Sequence, residues 1–199
     1  MAWIALTGYL ALLAVAFGWQ SWRQYRRTGD NGLRLAAARG TVQWWARLLF
    51  GTAMLAGLAA PVAALLGLPG LATPPAAGVL GAALLLGTLI ALPAAQRAMR
   101  GSWRVGVDAA ERTALVTGGP FRLVRNPIFT ILAAGYTGLT LLVPNGIAIA
   151  GLAVLITAIQ LQVRRIEEPY LLRAHGRRYR EYAAATGRFL PRIGRIRTR

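Results

Sequence analysis

The sequence predicts an all-α integral membrane protein with about five transmembrane helices, and three observations lead there. Of its 199 residues, 56% are hydrophobic and only 15% charged, whereas soluble domains run at about 45–50% apolar and about 25% charged. Uncharged runs long enough to cross a bilayer recur along the chain. The formal charge of +17, from 23 basic and 6 acidic residues, falls entirely between and after those runs. So basic a balance usually points to nucleic acid or anionic lipid. A soluble nucleic-acid domain this apolar would keep too little polar surface to stay dissolved, and a disordered basic tail requires low hydrophobicity. Nucleic acid is thereby disfavoured as a partner, and the bilayer remains.

Residues 3–22 are free of charge over twenty positions, which at about 1.5 Å per residue matches a hydrocarbon core of about 30 Å. Nothing basic precedes this run and it exceeds the usual signal-peptide core of about 7–15 residues, so it reads as a first span rather than a cleaved leader. Residues 48–68 form a second run, the breaker-rich segment 69–75 comes next, and 76–96 form a third whose end Pro93 should kink. Residues 128–143 and 147–163 are separated only by Pro144-Asn145-Gly146, a turn that makes them a tight antiparallel hairpin. The small-residue spacings Gly51/Gly57 and Gly81/Gly87 suit close helix packing. Such faces serve intramolecular packing as readily as dimers, so they leave the oligomeric state open.

An arginine at a helix centre costs about 2.5–3.5 kcal/mol on insertion, and arginine-rich loops stay in the cytoplasm. Arg23, Arg26, Arg27, Arg34, Arg39 and Arg47 lie between the first two spans. Arg97, Arg100, Arg104, Arg112, Arg122 and Arg125 lie between the third and fourth, and the remaining arginines, from Arg164 to Arg199, come after the fifth. Asp30, Asp108, Glu111, Glu167, Glu168 and Glu181 fall in the same three segments. The expected topology is therefore multi-pass in the cytoplasmic (inner) membrane, N-terminus outside and C-terminus inside, with Trp3, Trp19, Trp22, Trp44 and Trp45 as interface anchors. The chain divides into a three-span scaffold, 1–96, and a part, 97–199, that holds hairpin 128–163 and a C-terminal helix over 169–187. An active site belongs at the cytoplasmic mouth of the hairpin, formed by the loop between the third and fourth spans and by the C-terminal tail.

Absences narrow the chemistry. Lysine is missing, which excludes a Schiff base or a phosphate-loop lysine. Without cysteine there is no thiol nucleophile or thiolate metal site, and the single His175 forbids a histidine-rich centre, so no metal is expected. Two clusters remain. In the first, Thr117-Gly118-Gly119-Pro120-Phe121 can bring backbone close to a ligand, and Arg125, before Asn126-Pro127, can make a forked contact with a carboxylate or phosphate. In the second, Glu167 and Glu168 stand where the fifth span ends. Read onward as a helix, Glu168, Leu172, His175, Tyr179 and Tyr182 share one stripe, which Gly176 could bend. A juxtamembrane turn with interfacial arginines, and aromatics that merely pack, are the bland readings of the same residues.

The order Gly-Pro-Phe-Arg-x-x-Arg-Asn-Pro-x-Phe, a membrane hairpin, Glu-Glu-Pro, His-Gly-x-x-Tyr-x-x-Tyr and Arg188-Phe189-Leu190-Pro191 resembles the isoprenylcysteine carboxyl methyltransferase family. That family stands within a wider group of integral membrane methyltransferases that includes the phospholipid N-methyltransferases. The resemblance implies S-adenosyl-L-methionine as cofactor, S-adenosyl-L-homocysteine as product and a lipophilic or prenylated acceptor entering from the bilayer. It implies that Thr117, Gly118, Gly119, Pro120, Phe121, Arg125, Asn126 and Pro127 line the cofactor, together with Glu167, Glu168, His175, Tyr179 and Tyr182. Arg125, Glu167 and Arg188 are its candidate catalytic residues. The chain departs from the family's usual Arg-His-Pro-x-Tyr in carrying Asn126 and Phe129. A carboxylate acceptor, with a reference pKa near 4, needs no base, and Arg125 or Arg188 would hold it. An amine or thiol acceptor would draw on Glu167, Glu168 or His175 for deprotonation. Carboxyl methylation is the leading expectation, with amine or thiol methylation beside it. A nicotinamide-dependent membrane reductase and a non-enzymatic scaffold with an arginine-rich, lipid-binding face are the remaining classes.

Overall fold

The computed structural model describes residues 1–29, 37–99 and 114–196. Expectations resting on Asp30, Arg34, Arg100, Arg104, Asp108, Glu111, Arg112, Arg197 and Arg199 lie outside the described residues.

The uncharged runs fold as helices because backbone groups in lipid have no partner but each other. Helix α1 (Ala2–Leu13) passes through a π-helical turn (Ala14–Trp19) into α2 (Gln20–Thr28) without a break. Helix α3 (Val42–Leu65) starts at Thr41, whose hydroxyl accepts from the Trp44 amide at 3.2 Å. Helix α4 (Pro75–Ala98) starts on a proline, whose missing N–H costs nothing there. Helices α5 (Pro127–Leu142) and α6 (Gly146–Leu161) form the hairpin. The Asn145 side chain caps α6 through the Ala148 amide at 2.9 Å and donates to the Ala60 carbonyl of α3, also at 2.9 Å. A second π-helical turn (Gln162–Glu167) leads into α7 (Glu168–Ala185). Among the described residues there is no strand, only a single parallel bridge between Val124 and Gly187.

Four of these rods are long and apolar enough to cross a membrane: Ala2–Arg26, Val42–Leu65, Pro75–Ala98 and the one that begins at Gly146. Helix α5 is a shorter apolar helix of 16 residues, about 24 Å at 1.5 Å per residue. Arg164 and Arg165 are exposed and mark where the last rod leaves its apolar run, so the chain beyond them lies outside the spans.

Helix α4 packs most closely on α5 and α3 on α6, with α1 against both α3 and α4. At the α4/α5 crossing a Cβ on Gly81 would sit 2.7 Å from the Gly138 carbonyl oxygen, and one on Gly138 2.6 Å from that of Gly81. Gly57 likewise makes room for the Tyr9 ring. Gly51 and Gly87, expected to act with Gly57 and Gly81, instead face open space. Positions six apart on a helix point about 120° from one another, so only one glycine of each pair reaches the neighbour. Helix α4 continues through Pro93 to Ala98, the proline removing one hydrogen bond without ending the rod.

Buried polar side chains tie the rods by donating to carbonyls of other helices, as an apolar solvent requires. Tyr9 Oη donates to Met54 O and Tyr136 Oη to Ala53 O, both at 2.8 Å, and Gln96 Nε2 donates to Ala16 O in the first π-helical turn at 2.9 Å. The two uncharged loops lie together at one end, where the Leu71 amide donates to Pro144 O at 2.8 Å. The described parts of the charged segments therefore gather at the other end.

Candidate functional site

The loop before α5 and the tail after α7 are stitched together by backbone. Arg125 N donates to Gly187 O at 2.8 Å, and both N and Nδ2 of Asn126 donate to Arg188 O at 3.1 Å. One turn into α5, Thr130 Oγ1 donates to Phe189 O at 2.9 Å, and from α7 Tyr182 Oη reaches back to Phe121 O at 2.6 Å. Residues that lie about sixty positions apart thus form one structure.

Its centre is Glu168. Oε1 accepts from Arg125 Nη2 and from Arg188 Nε, each at 2.7 Å, and Oε2 accepts from Arg188 Nη2 at 2.9 Å. Arg125 is only 6% exposed. Its Nη1 donates to the carbonyls of Ala183 (2.9 Å) and Thr186 (2.6 Å), and its Nη2 also to that of Gly194 (3.1 Å). Two cations and one carboxylate share the cluster, leaving it one positive charge in excess. Burial alone would raise the Glu168 pKa, but the hydrogen bonds from Arg188 and Arg125 outweigh it and hold the carboxyl below its usual range. The same bonds push the Arg188 guanidinium up. Arg125 and Arg188, offered by the sequence as holders of an acceptor carboxylate, are both turned onto Glu168.

Glu167 faces elsewhere, since consecutive helical residues point about 100° apart. Gln162 Nε2 donates to its Oε1 at 3.0 Å, and no ion pair involving it occurs among the described residues. Burial pushes its pKa up to about 7, with the Gln162 bond opposing and the Glu168 charge adding to the rise.

The stripe expected along α7 is broken at Gly176, whose φ of 51° and ψ of −120° are open only to glycine. Tyr179, 1% exposed, and Tyr182 lie beyond that break, their rings 6.2 Å apart. Leu172 and His175 lie before it, so the five residues do not form one continuous face, and His175 Nε2 is buried without a hydrogen-bond partner. In the glycine turn, Gly119 adopts φ +58° at the start of a short 3-10 turn (Gly119–Arg122). Gly118 is exposed, with nothing within 4 Å of where its Cβ would be. Thr117 and Pro120 are half-buried, while Phe121 and Pro127 are buried beneath. No cluster of metal-ligating side chains exists among the described residues.

Sequence reasoning missed Gln162, Thr130 and the carbonyls of Ala183, Thr186 and Gly194. Carbonyl acceptors leave no trace in side-chain identity; the glycines at 187 and 194 were the only hint that the tail turns back.

Residues 76–178 match the family described as phospholipid methyltransferase, just over half of the chain. The match runs from the start of α4 into α7, taking in the glycine turn, Arg125 and both glutamates. No curated protein matches the chain.

Proposed function

The chain belongs to the phospholipid methyltransferase family, and from that premise we propose that it methylates the amine of a phospholipid-type headgroup, using S-adenosyl-L-methionine and releasing S-adenosyl-L-homocysteine. The observation that carries this reading is the division of labour between the adjacent glutamates. Glu168 occupies both Arg125 and Arg188, which removes the forked cations that a carboxylate acceptor would use. Glu167 is left without a cationic partner, attractive to an ammonium group and able, with a pKa of about 7, to take its proton.

The cofactor supplies a methyl group made electrophilic by a sulfonium, so the protein need only align, exclude water and handle one proton. The open backbone edge at Gly118 and the orphaned Nε2 of His175 fit a polar ligand. Thr117, Gly118, Gly119, Pro120, Phe121, Asn126 and His175 are therefore assigned to holding it. Arg125, Glu168, Tyr179, Tyr182 and Arg188 act as positioning residues that fix the loop and tail around it, with Pro127 setting the start of α5. The distribution of arginines supports a cytoplasmic site, N-terminus outside, reached by the acceptor from the bilayer and by the cofactor from the cytosol.

Carboxyl methylation of an isoprenylcysteine-type acceptor is the second reading, favoured by the ordered motifs ending in Arg188-Phe189-Leu190-Pro191. Transfer of labelled methyl from S-adenosyl-L-methionine into a membrane lipid extract separates the two. Base-stable label in the phospholipid fraction is expected; base-labile label would establish a carboxyl ester instead. Absence of transfer, with no calorimetric binding of the cofactor to folded protein, would overturn both.

A further inference from the structure

The tail has two faces. Its inner one closes the Glu168 cluster, through the Gly194 carbonyl on Arg125 and through Arg188 itself. Its outer one, with the loop before α5, forms an open groove of about 450 Å³ lined by Arg122, Arg192 and Arg195 together with Leu123, Ala185 and Pro191. No carboxylate among the described residues pairs with any of these three arginines. Three unneutralised guanidiniums around one groove repel one another, an arrangement that an anion would relieve.

The groove is also held in shape. Arg188 N donates to Ile193 O at 2.7 Å, Ile193 N to Leu190 O at 3.1 Å, and Ile196 N to Ala183 O at 3.0 Å. Arg192 itself has φ +66°, the left-handed region, and is the only non-glycine residue there among the described residues. A bulky residue kept in that conformation marks a place where side-chain identity outweighs backbone comfort. Leu123, which lines the groove, is 66% exposed, and Leu190 and Ile193, the chain neighbours that flank Pro191 and Arg192, are 54% and 62% exposed. Leu123 lies four positions before Pro127, where α5 begins, so this face lies at the edge of the apolar layer.

From the paired cationic and apolar character of this groove we propose a second lipid site, in which Arg122, Arg192 and Arg195 hold the headgroup phosphate of an anionic phospholipid while Leu123, Leu190 and Ile193 meet its glycerol and upper acyl chain. Guanidinium forks suit phosphate oxygens, and a soluble phosphate compound would leave the three apolar side chains without a counterpart. The site is independent of the methyl-transfer reading, since it uses none of the residues assigned to cofactor or acceptor handling and lies mostly beyond residue 178, where the family match ends.

The test is titration of phosphatidylglycerol onto the full chain in a detergent without phosphate, read by native mass spectrometry. The triple variant Arg122→Gln/Arg192→Gln/Arg195→Gln should bind at least tenfold more weakly, since each basic side chain near a surface adds several-fold to anionic-lipid affinity. The charge-matched control Arg173→Gln/Arg178→Gln/Arg180→Gln, exposed on α7, should bind within about twofold of the parent. Arg192→Gly guards against misfolding, because glycine accepts the left-handed backbone: its thermal midpoint should hold or rise while lipid binding falls. Equal losses in the triple variant and the control, or unchanged binding in Arg192→Gly, would overturn the site. Displacement of the lipid by millimolar inorganic phosphate, with Leu123→Ser binding lipid as the parent does, would assign the groove to a soluble phosphate and overturn the lipid claim.

Discussion

At the scale of single residues, Glu167 and Glu168 show what adjacency in a sequence conceals. Glu168→Gln leaves the buried Arg125 and the half-buried Arg188 without their anion, and the loss of one partner from a buried pair such as Arg125–Glu168 costs about 3–5 kcal/mol. The variant should unfold at markedly lower temperature or denaturant in detergent. Because the Glu168 pKa lies below its unfolded value, its contribution is fully present at neutral pH and disappears only as pH falls through the depressed folded pKa. Glu167 has the opposite sign. With a pKa raised to about 7, its proton-accepting form grows as pH rises, so kcat/KM for an amine acceptor should climb through an inflection near 7. Glu167→Gln should abolish that inflection without the stability loss of Glu168→Gln. The sequence identified both carboxylates as cofactor-lining candidates, and Glu167 as a catalytic one, but left open which of them meets the cofactor. The reason is the π-helical turn Gln162–Glu167, which inserts extra backbone per turn and shifts the phase of α7 against that of α6, so extrapolating a regular helix from the fifth span aims both side chains wrongly.

At the scale of elements, the apolar helices were legible because charge is expensive in lipid, and a stretch of some twenty positions without any is what a bilayer crossing demands. Which faces those helices share was less so. A matched pair of substitutions on α4 tests the crossing: Gly81→Ala places a methyl against the Gly138 backbone and should destabilise by about 1–3 kcal/mol, whereas Gly87→Ala meets open space and should be neutral or stabilising by up to about 1 kcal/mol. Thermal midpoints in one detergent decide it. In α7, Gly176→Ala must force a Cβ into φ 51°, ψ −120°, a region closed to other residues and costing about 1–3 kcal/mol. If the break only relaxes a solvent-facing helix, midpoint will fall while cofactor affinity stays; if it sets the angle between His175 and Tyr179, affinity falls with it. The latter is expected.

Across the whole molecule, the end that carries the candidate site also carries the charges of the described residues, and the opposite end joins two loops with none. The chain contains no cysteine, so single introduced thiols report topology without background. Thr73→Cys should label from outside intact cells and Arg178→Cys only after permeabilisation; the reverse pattern would invert the assigned orientation. The way the tail closes the site bears on how the protein is made. Every carbonyl that Arg125 uses comes from residues 183–194, which are synthesised after all the apolar helices, so those helices can enter the membrane while the Arg125 guanidinium still lacks its acceptors. Closure of the Arg125–Glu168 cluster should thus follow insertion, and a chain cut before residue 183 should integrate its apolar helices yet leave that arginine without its acceptors, and become a substrate for membrane quality-control proteases.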